Sequence, residues 1–449
     1  MVIVISLFCL SINVKGNIIK HDEEYLYHIN NNKINITKVY PVNEMKEKKV
    51  INYNNGFYPQ RIYVNNDSLI VLGSGFDKDD YKKVQSRILI YNKDDFIMRR
   101  EFKVDGYIVS SELISDNLFV ISQYYDNLFN YVTVTKINLC NNEYQELNYI
   151  GNVNNVHYGM NNMYLFNSCL PNIPFSRMDP VFNITHIKKI NYENLDEVSN
   201  VSIDGFIGNK HFINEYQGNL RIVTINRDND KVANYLYVLN KKLDIKTKYE
   251  INSEYIQYVN FDKYKLYIST YKDKNHLLIV DLDNPKINKT KKFPSKILFI
   301  YPYDLDRLIV LTNNKLYLIN LHDLSVKYDE QLFSNNGEIY SEISYNPHKF
   351  ITFNDLIVFP LSFSMQRIED GYLKHYYRQS YRFYALDNNR FIYKVDLSNF
   401  DGKFKNINGL EIMKTFILED MLYTVSNKKI KAYNFNDFNI LNSINYKGG

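Results

Sequence analysis

The sequence predicts an all-β fold, a β-propeller of about eight or nine four-stranded antiparallel blades. Three observations carry that expectation. Short apolar runs with a period of two, bounded by Asn, Asp, Gly and Lys turns, fill almost the whole of the 449 residues, and no stretch shows the 3.6-residue period of a helix. A hairpin of two such runs recurs about nine times. Behind each hairpin come a third run ending in a polar turn and a fourth run, a rhythm of roughly 45 to 55 residues that suits propeller blades.

The first run, residues 1–12, reads MVIVISLFCLSI. It has the length of a signal-peptide core without the preceding positive charges, and it is too short to span a bilayer as a helix. Two readings of residues 1–16 stay open, a truncated signal-like segment or a first strand; residues 17–449 then make a single propeller domain. The hairpins follow at residues 17–29, 61–74, 107–122, 156–168, 211–225, 256–270, 297–312, 348–361 and 413–426. Third strands such as SRILIYNKDD, HLLIVDLDNP and KIKAYNFND come after them. A solenoid is the structural competitor, but its repeats are shorter or helical. Residues 170–181, LPNIPFSRMDPV, hold three prolines and break the period, so a long rim loop is expected there, and residues 372–379 are expected to form another.

Composition narrows the function. With 45% hydrophobic and 15% aromatic residues the chain has ample surface to bury, which excludes a disordered or fibrous chain. Its 54 basic and 50 acidic residues are spread evenly, unlike the basic footprint of a nucleic-acid binder. Cys9, Cys140 and Cys169 are too few and scattered for a disulfide framework or a zinc site. A bridge between Cys140 and Cys169 stays open beside the reading of unpaired, buried thiols.

No catalytic signature is complete in the sequence. The nine histidines are dispersed and none sits in HExxH, and GxSxG, P-loop and dinucleotide glycine motifs do not occur. No cofactor or metal is called for. Two acidic runs, residues 77–80 and 228–230, offer oxygen ligands to calcium but complete no EF-hand, and polar turns are the plainer reading. Glu215, Asp304, Asp306 and Glu342 sit in loops that could place acids on a shared rim; an inter-blade carboxylate pair of the glycosidase kind is invisible to sequence spacing.

The 41 tyrosines offer flat apolar faces with a hydrogen-bonding tip, and most suit packing between blades. Tyr372, Tyr376 and Tyr377, beside Arg367, Arg378 and His375, stand outside the strand rhythm and are the candidate ligand-binding residues.

Four stretches, NIIKHDEEYLYHINNNKINITKVYPVNEM, RIYVNNDSLIVLGSG, REFKVDGYIVSSELISDNLFVISQYY and LEDMLYTVSNKKIKAYNFNDFNILNSI, carry a resemblance. In their order they are similar to a secreted bacterial and archaeal family with a C-terminal β-propeller domain distantly related to WD40 repeats. The resemblance spans nearly the whole chain. It implies an exported or cell-surface propeller and supplies no catalytic residues. The leading expectation is therefore a non-enzymatic exported module that binds a protein or polysaccharide as a monomer, with no transmembrane segment and no nucleic-acid partner. The alternatives are an extracellular carbohydrate-active hydrolase or lyase with acids at the central channel, and a cytoplasmic scaffold.

Overall fold

Nine antiparallel sheets follow one another along the chain, each with its strands in sequence order. The computed structural model describes residues 18–446 apart from 54–55, 77–83, 127, 142, 169–183, 229–230, 252–254, 272–274, 333–337, 354, 370–371 and 401–408. The opening run, the proline-rich stretch 170–181, the acidic run 77–80, Cys9 and Cys169 thus lie outside the described residues. Cys140 is exposed and free.

Blade 1 runs from Ile19–His21 to Lys46–Asn52, blade 2 from Tyr58–Val64 to Met98–Asp105 and blade 3 from Tyr107–Ile114 to Tyr144–Ile150. Blade 4 runs from Asn155–Tyr158 to Glu197–Asp204, blade 5 from Ile213–Tyr216 to Ile245–Ile251 and blade 6 from Tyr255–Phe261 to Lys286–Lys292. Blade 7 runs from Ile297–Pro302 to Val326–Gln331, blade 8 from Glu338–Tyr340 to Arg390–Leu397 and blade 9 from Lys414–Leu418 to Ile440–Asn445. Eight blades have four strands; blade 8 has five, because its first strand is split in two. The count falls at the upper end of the sequence expectation.

The strand sequences explain this layout. Second and third strands, such as Arg307–Thr312 and Lys315–Asn320, are buried on both faces and read as unbroken apolar runs. Fourth strands alternate instead: Lys286–Lys292, KINKTKK, exposes every second residue, and such Lys-rich edges resist pairing with other chains. Apolar clusters then join neighbouring blades. Tyr27, Ile34, Ile62, Leu69 and Phe96 bring blades 1 and 2 into one core, and Leu277, Ile300, Leu318 and Ile357 run through blades 6 to 8.

The turn between the third and fourth strands is itself a repeat. In blades 2, 7 and 9 an Asn side chain caps the turn by accepting from the backbone N–H two residues on, Asn92 from Asp94, Asn320 from His322 and Asn434 from Asn436. Four residues after each Asn, an apolar residue takes a positive φ: Phe96 at 57°, Leu324 at 57° and Phe438 at 59°. Its N–H donates back to the Asn carbonyl at 2.9–3.0 Å. Leu195, four residues after Asn191 in blade 4, and Leu243, three residues after Asn240 in blade 5, also take positive φ, at 60° and 67°.

The chain divides into two compact units: residues 1–154, 192–196 and 414–449 in one, and 155–191 with 197–413 in the other. Inside the first, the last blade meets the first. Tyr423 Oη donates to Val39 O at 2.7 Å, Asn30 Nδ2 to Asn427 O at 2.8 Å and Asn442 Nδ2 to Val42 O at 2.8 Å. Among the described residues no helix is long and apolar enough to cross a membrane.

Candidate functional site

Blade 8 contains every binding residue expected from sequence, but on strands rather than in a loop. Leu356–Glu369 and Tyr372–Asp387 pair continuously from Leu356 opposite Ala385 to Glu369 opposite Tyr372. The inner strand ends its pairing at Ser364 and the outer strand starts at Tyr381. Residues 365–369 and 372–376 therefore run on as a two-stranded arm beyond the body of the sheet, with Tyr377 and Arg378 at its root. Tyr and Phe favour extended backbone, and because they occupy both parities of YLKHYYRQSYRFYALD they hide the alternation that marks a strand.

Along the arm Arg367 stands opposite Lys374, Gln366 opposite His375, Met365 opposite Tyr376 and Ser364 opposite Tyr377. Tyr377 Oη donates to Ser362 Oγ at 2.9 Å. Arg378 is exposed and reaches Asp396 only at 3.9 Å, because Arg382 holds that carboxylate through two bonds of 2.8 Å. The arm thus gathers the six residues on one ribbon, with Arg378 turned to solvent.

The split in the inner strand of blade 8 adds a second feature. Tyr340 pairs with Ser362 and Ile351 with Val358, so residues 341–350 stand opposite only 359–361. Pro360, which has no N–H for a ladder, sits in that gap and accepts from Ser341 Oγ at 2.5 Å. Phe350 anchors the bulge against Phe299 and Tyr301, with ring centroids 4.8 and 4.7 Å away. At the bulge surface His348 meets His211 from the turn before blade 5, their ring centroids 6.0 Å apart. Burial and the nearby Lys210 charge push His211 down to about 4, and burial lowers His348. Both shifts favour the neutral imidazole. Among the described residues no group of three or more His, Cys, Asp or Glu is placed to hold a metal ion.

The four candidate acids have local partners. Glu215 accepts from Tyr164 Oη and from Met160 N, each at 3.1 Å. Asp304 pairs with Arg307 at 2.6 Å, Asp306 with His322 at 2.8 Å, and Glu342 with Lys349. Each carboxylate answers a neighbour in its own blade or the next one, an arrangement that stabilises loops.

A third feature escaped the sequence reading. Tyr58 and Tyr107 open the inner strands of blades 2 and 3, and Phe76, Tyr125, Leu128 and Phe129 flank the hairpin tips at the same end of those blades. Gly106 N donates to Val84 O, the partner of Phe76, which sets Tyr107 beside the blade 2 tip. All six side chains are exposed, Leu128 by 80% and Tyr125 by 66%. Tyr124 and Tyr131 stack at 4.9 Å just below. The available signal was Leu and Phe beside Asn127, where a hairpin turn calls for polar residues. Exposed apolar residues gathered in one place mark interaction surfaces.

A family profile described as a beta propeller domain matches residues 15–130 and 124–438. The chain belongs to that β-propeller family. The propeller is also similar to the uncharacterized protein MJ1554 of Methanocaldococcus jannaschii, with 25% identity over 279 residues, 59% of this chain and 41% of that protein. It therefore spans about two-fifths of that relative's length. Among solved structures it is similar to a eukaryotic initiation factor, at 8% identity with a TM-score of 0.52 over 95% of this chain and 96% of the other. A further likeness is to Sqt1 of Saccharomyces cerevisiae, at 10% identity with a TM-score of 0.44 over 82% and 92%. At such identities a structural likeness speaks to the fold alone.

Proposed function

We propose that this propeller is a non-enzymatic exported or cell-surface module that binds a protein or polysaccharide as a monomer. The observation that carries the reading is the exposed aromatic tip of blades 2 and 3, where Tyr58, Phe76, Tyr107, Tyr125, Leu128 and Phe129 gather. Tyr and Phe give large contact area at little entropic cost. The blade 8 arm adds basic and aromatic residues on a second element.

The test compares the intact protein with a Tyr125→Ser/Leu128→Ser/Phe129→Ser variant on immobilised envelope polysaccharide and on envelope protein extracts. The changed side chains are solvent-facing, so stability should hold while affinity falls at least tenfold. Equal binding by both proteins would overturn the tip as the site. An Arg378→Ala variant measures the arm's share, and fractionation of cells carrying the tagged, full-length gene tests export: tagged protein confined to the cytoplasm would overturn it.

A further inference from the structure

We propose that the bulge of blade 8, residues 341–350, is a pH-sensitive latch, closed on the turn before blade 5 near neutral pH and released in mild acid. Both elements lie in the same compact unit. Blade 5 shares one apolar core with blade 6, and blade 6 shares another with blades 7 and 8, so a contact between blades 5 and 8 is a chord past two blades. Two contacts make it. His211 Nε2 stands 3.4 Å from Tyr345 O, and the His211 and His348 rings meet edge to face with centroids 6.0 Å apart. A bond to that carbonyl requires a proton on Nε2. On its own side the bulge is held by Ser341 on Pro360 O and by Phe350 on Phe299 of blade 7; the two histidines carry its tie to blade 5.

Histidine gains its charge between pH 8 and 5, and the surroundings of this pair oppose that charge. Lys210 flanks His211 and acts on both rings. On the bulge the carboxylate is Glu342, held by Lys349, and burial pushes Tyr345 up to about 12. The turn packs on the inner strands of blades 4 and 6 and on the second strand of blade 5. Their described titratable side chains are His157, Tyr158, Tyr255, Tyr258 and Arg221, none of them a carboxylate. The bulge packs on the inner strand of blade 7, where Tyr301 is the titratable group, and on residues 356–364, which hold no charged side chain. An imidazolium here therefore meets Lys210 and a second imidazole, and the acid beside it is already paired. The titration agrees: burial first, then the Lys210 charge, outweighs the Tyr345 bond and lowers His211 to about 4. Opening returns the rings to water and to an ordinary pKa near 6.5. The closed form is thus fully favoured above pH 6.5 and loses ground as pH falls from 6.5 to 4.

Hydrogen exchange of the full chain at pH 7.5 and 5.0, corrected for the intrinsic pH dependence of exchange, reads the latch. Asn346 N and Phe350 N donate to Glu342 O and Pro347 O at 2.8 and 3.0 Å, and turns this short keep their bonds only while packed. Both amides should lose protection about tenfold at pH 5.0, while the ladder amides of residues 382–386 keep theirs. His211→Gln retains a donor for Tyr345 O without a titrating ring and should abolish most of the loss. Lys210→Met removes the flanking charge and should reduce it, which keeps the latch testable if the first variant folds poorly. Equal protection at the two pH values, a loss shared by the blade 8 ladder, or a loss undiminished in both variants overturns the latch.

Discussion

The N–H of Leu243 donates to the carbonyl of Asn240 at 2.9 Å while Leu243 holds φ at +67° with its side chain buried. A Cβ in this region costs about 1 kcal/mol, which burial of the leucine, worth about 1.5–3 kcal/mol, outweighs. Replacing Leu243 by Ala removes the burial and keeps the strain; replacing it by Gly removes both. Urea denaturation should therefore rank Leu243→Gly above Leu243→Ala by about 0.5–1 kcal/mol, the reverse of the usual strand order. Equal midpoints would show that the strain is relieved elsewhere.

Tyr423 ties the last blade to the first through its 2.7 Å bond to Val39 O, and its ring stacks on Phe416 at 4.8 Å. Tyr423→Phe keeps the stack and leaves a buried carbonyl unpaired. Loss of about 1–3 kcal/mol is expected, together with faster hydrogen exchange at the blade 9 amides. A variant as stable as the parent would mean that this bond contributes little to joining the blades.

His28 makes acid stability measurable. It is fully buried in blade 1, 5.5 Å from the Tyr446 ring, with neither ring nitrogen in hydrogen-bonding geometry. Asn427 is near enough to favour the charged ring, but burial dominates and pushes the group down to about 4. The unfolded chain then binds a proton below about 6.5 that the folded chain refuses. Stability should be complete above pH 6.5 and decline by about 1–3 kcal/mol as pH falls to 4. In His28→Phe this part of the decline should disappear, read by denaturation midpoints at pH 7, 5.5 and 4.5.

The blades were legible because each face of a strand writes its burial into the sequence. Lys286–Lys292 announces an outer edge by alternation and Arg307–Thr312 a covered strand by continuity. The blade 8 arm was not legible, since the aromatic and basic residues from Tyr372 to Arg378 fill both parities and imitate a loop. Nor was the tip at Leu128, which becomes a surface only when two blades stand side by side. The bond from Lys414 Nζ to Ile19 O joins residues almost 400 positions apart, a distance no local pattern spans.

Gln379, at the end of that supposed loop, shows how closely a strand can disguise a structural tie. Its buried side chain donates to Ile412 O at 2.9 Å and accepts from Ile412 N at 2.8 Å, so one amide satisfies both backbone groups. Gln379→Leu leaves both unpaired and should cost about 2–4 kcal/mol. Gln379→Glu is the sharper probe: a carboxylate still accepts from Ile412 N, but cannot donate to Ile412 O and faces Glu342, whose Oε1 lies 3.5 Å from the native amide nitrogen. Protonation restores the donor and removes the repulsion. The Gln379→Glu protein should thus regain stability relative to the parent as pH falls from 7 to 5, an inversion absent from Gln379→Leu; parallel pH curves for the two variants would show that the amide's donor is not what holds Ile412 in place.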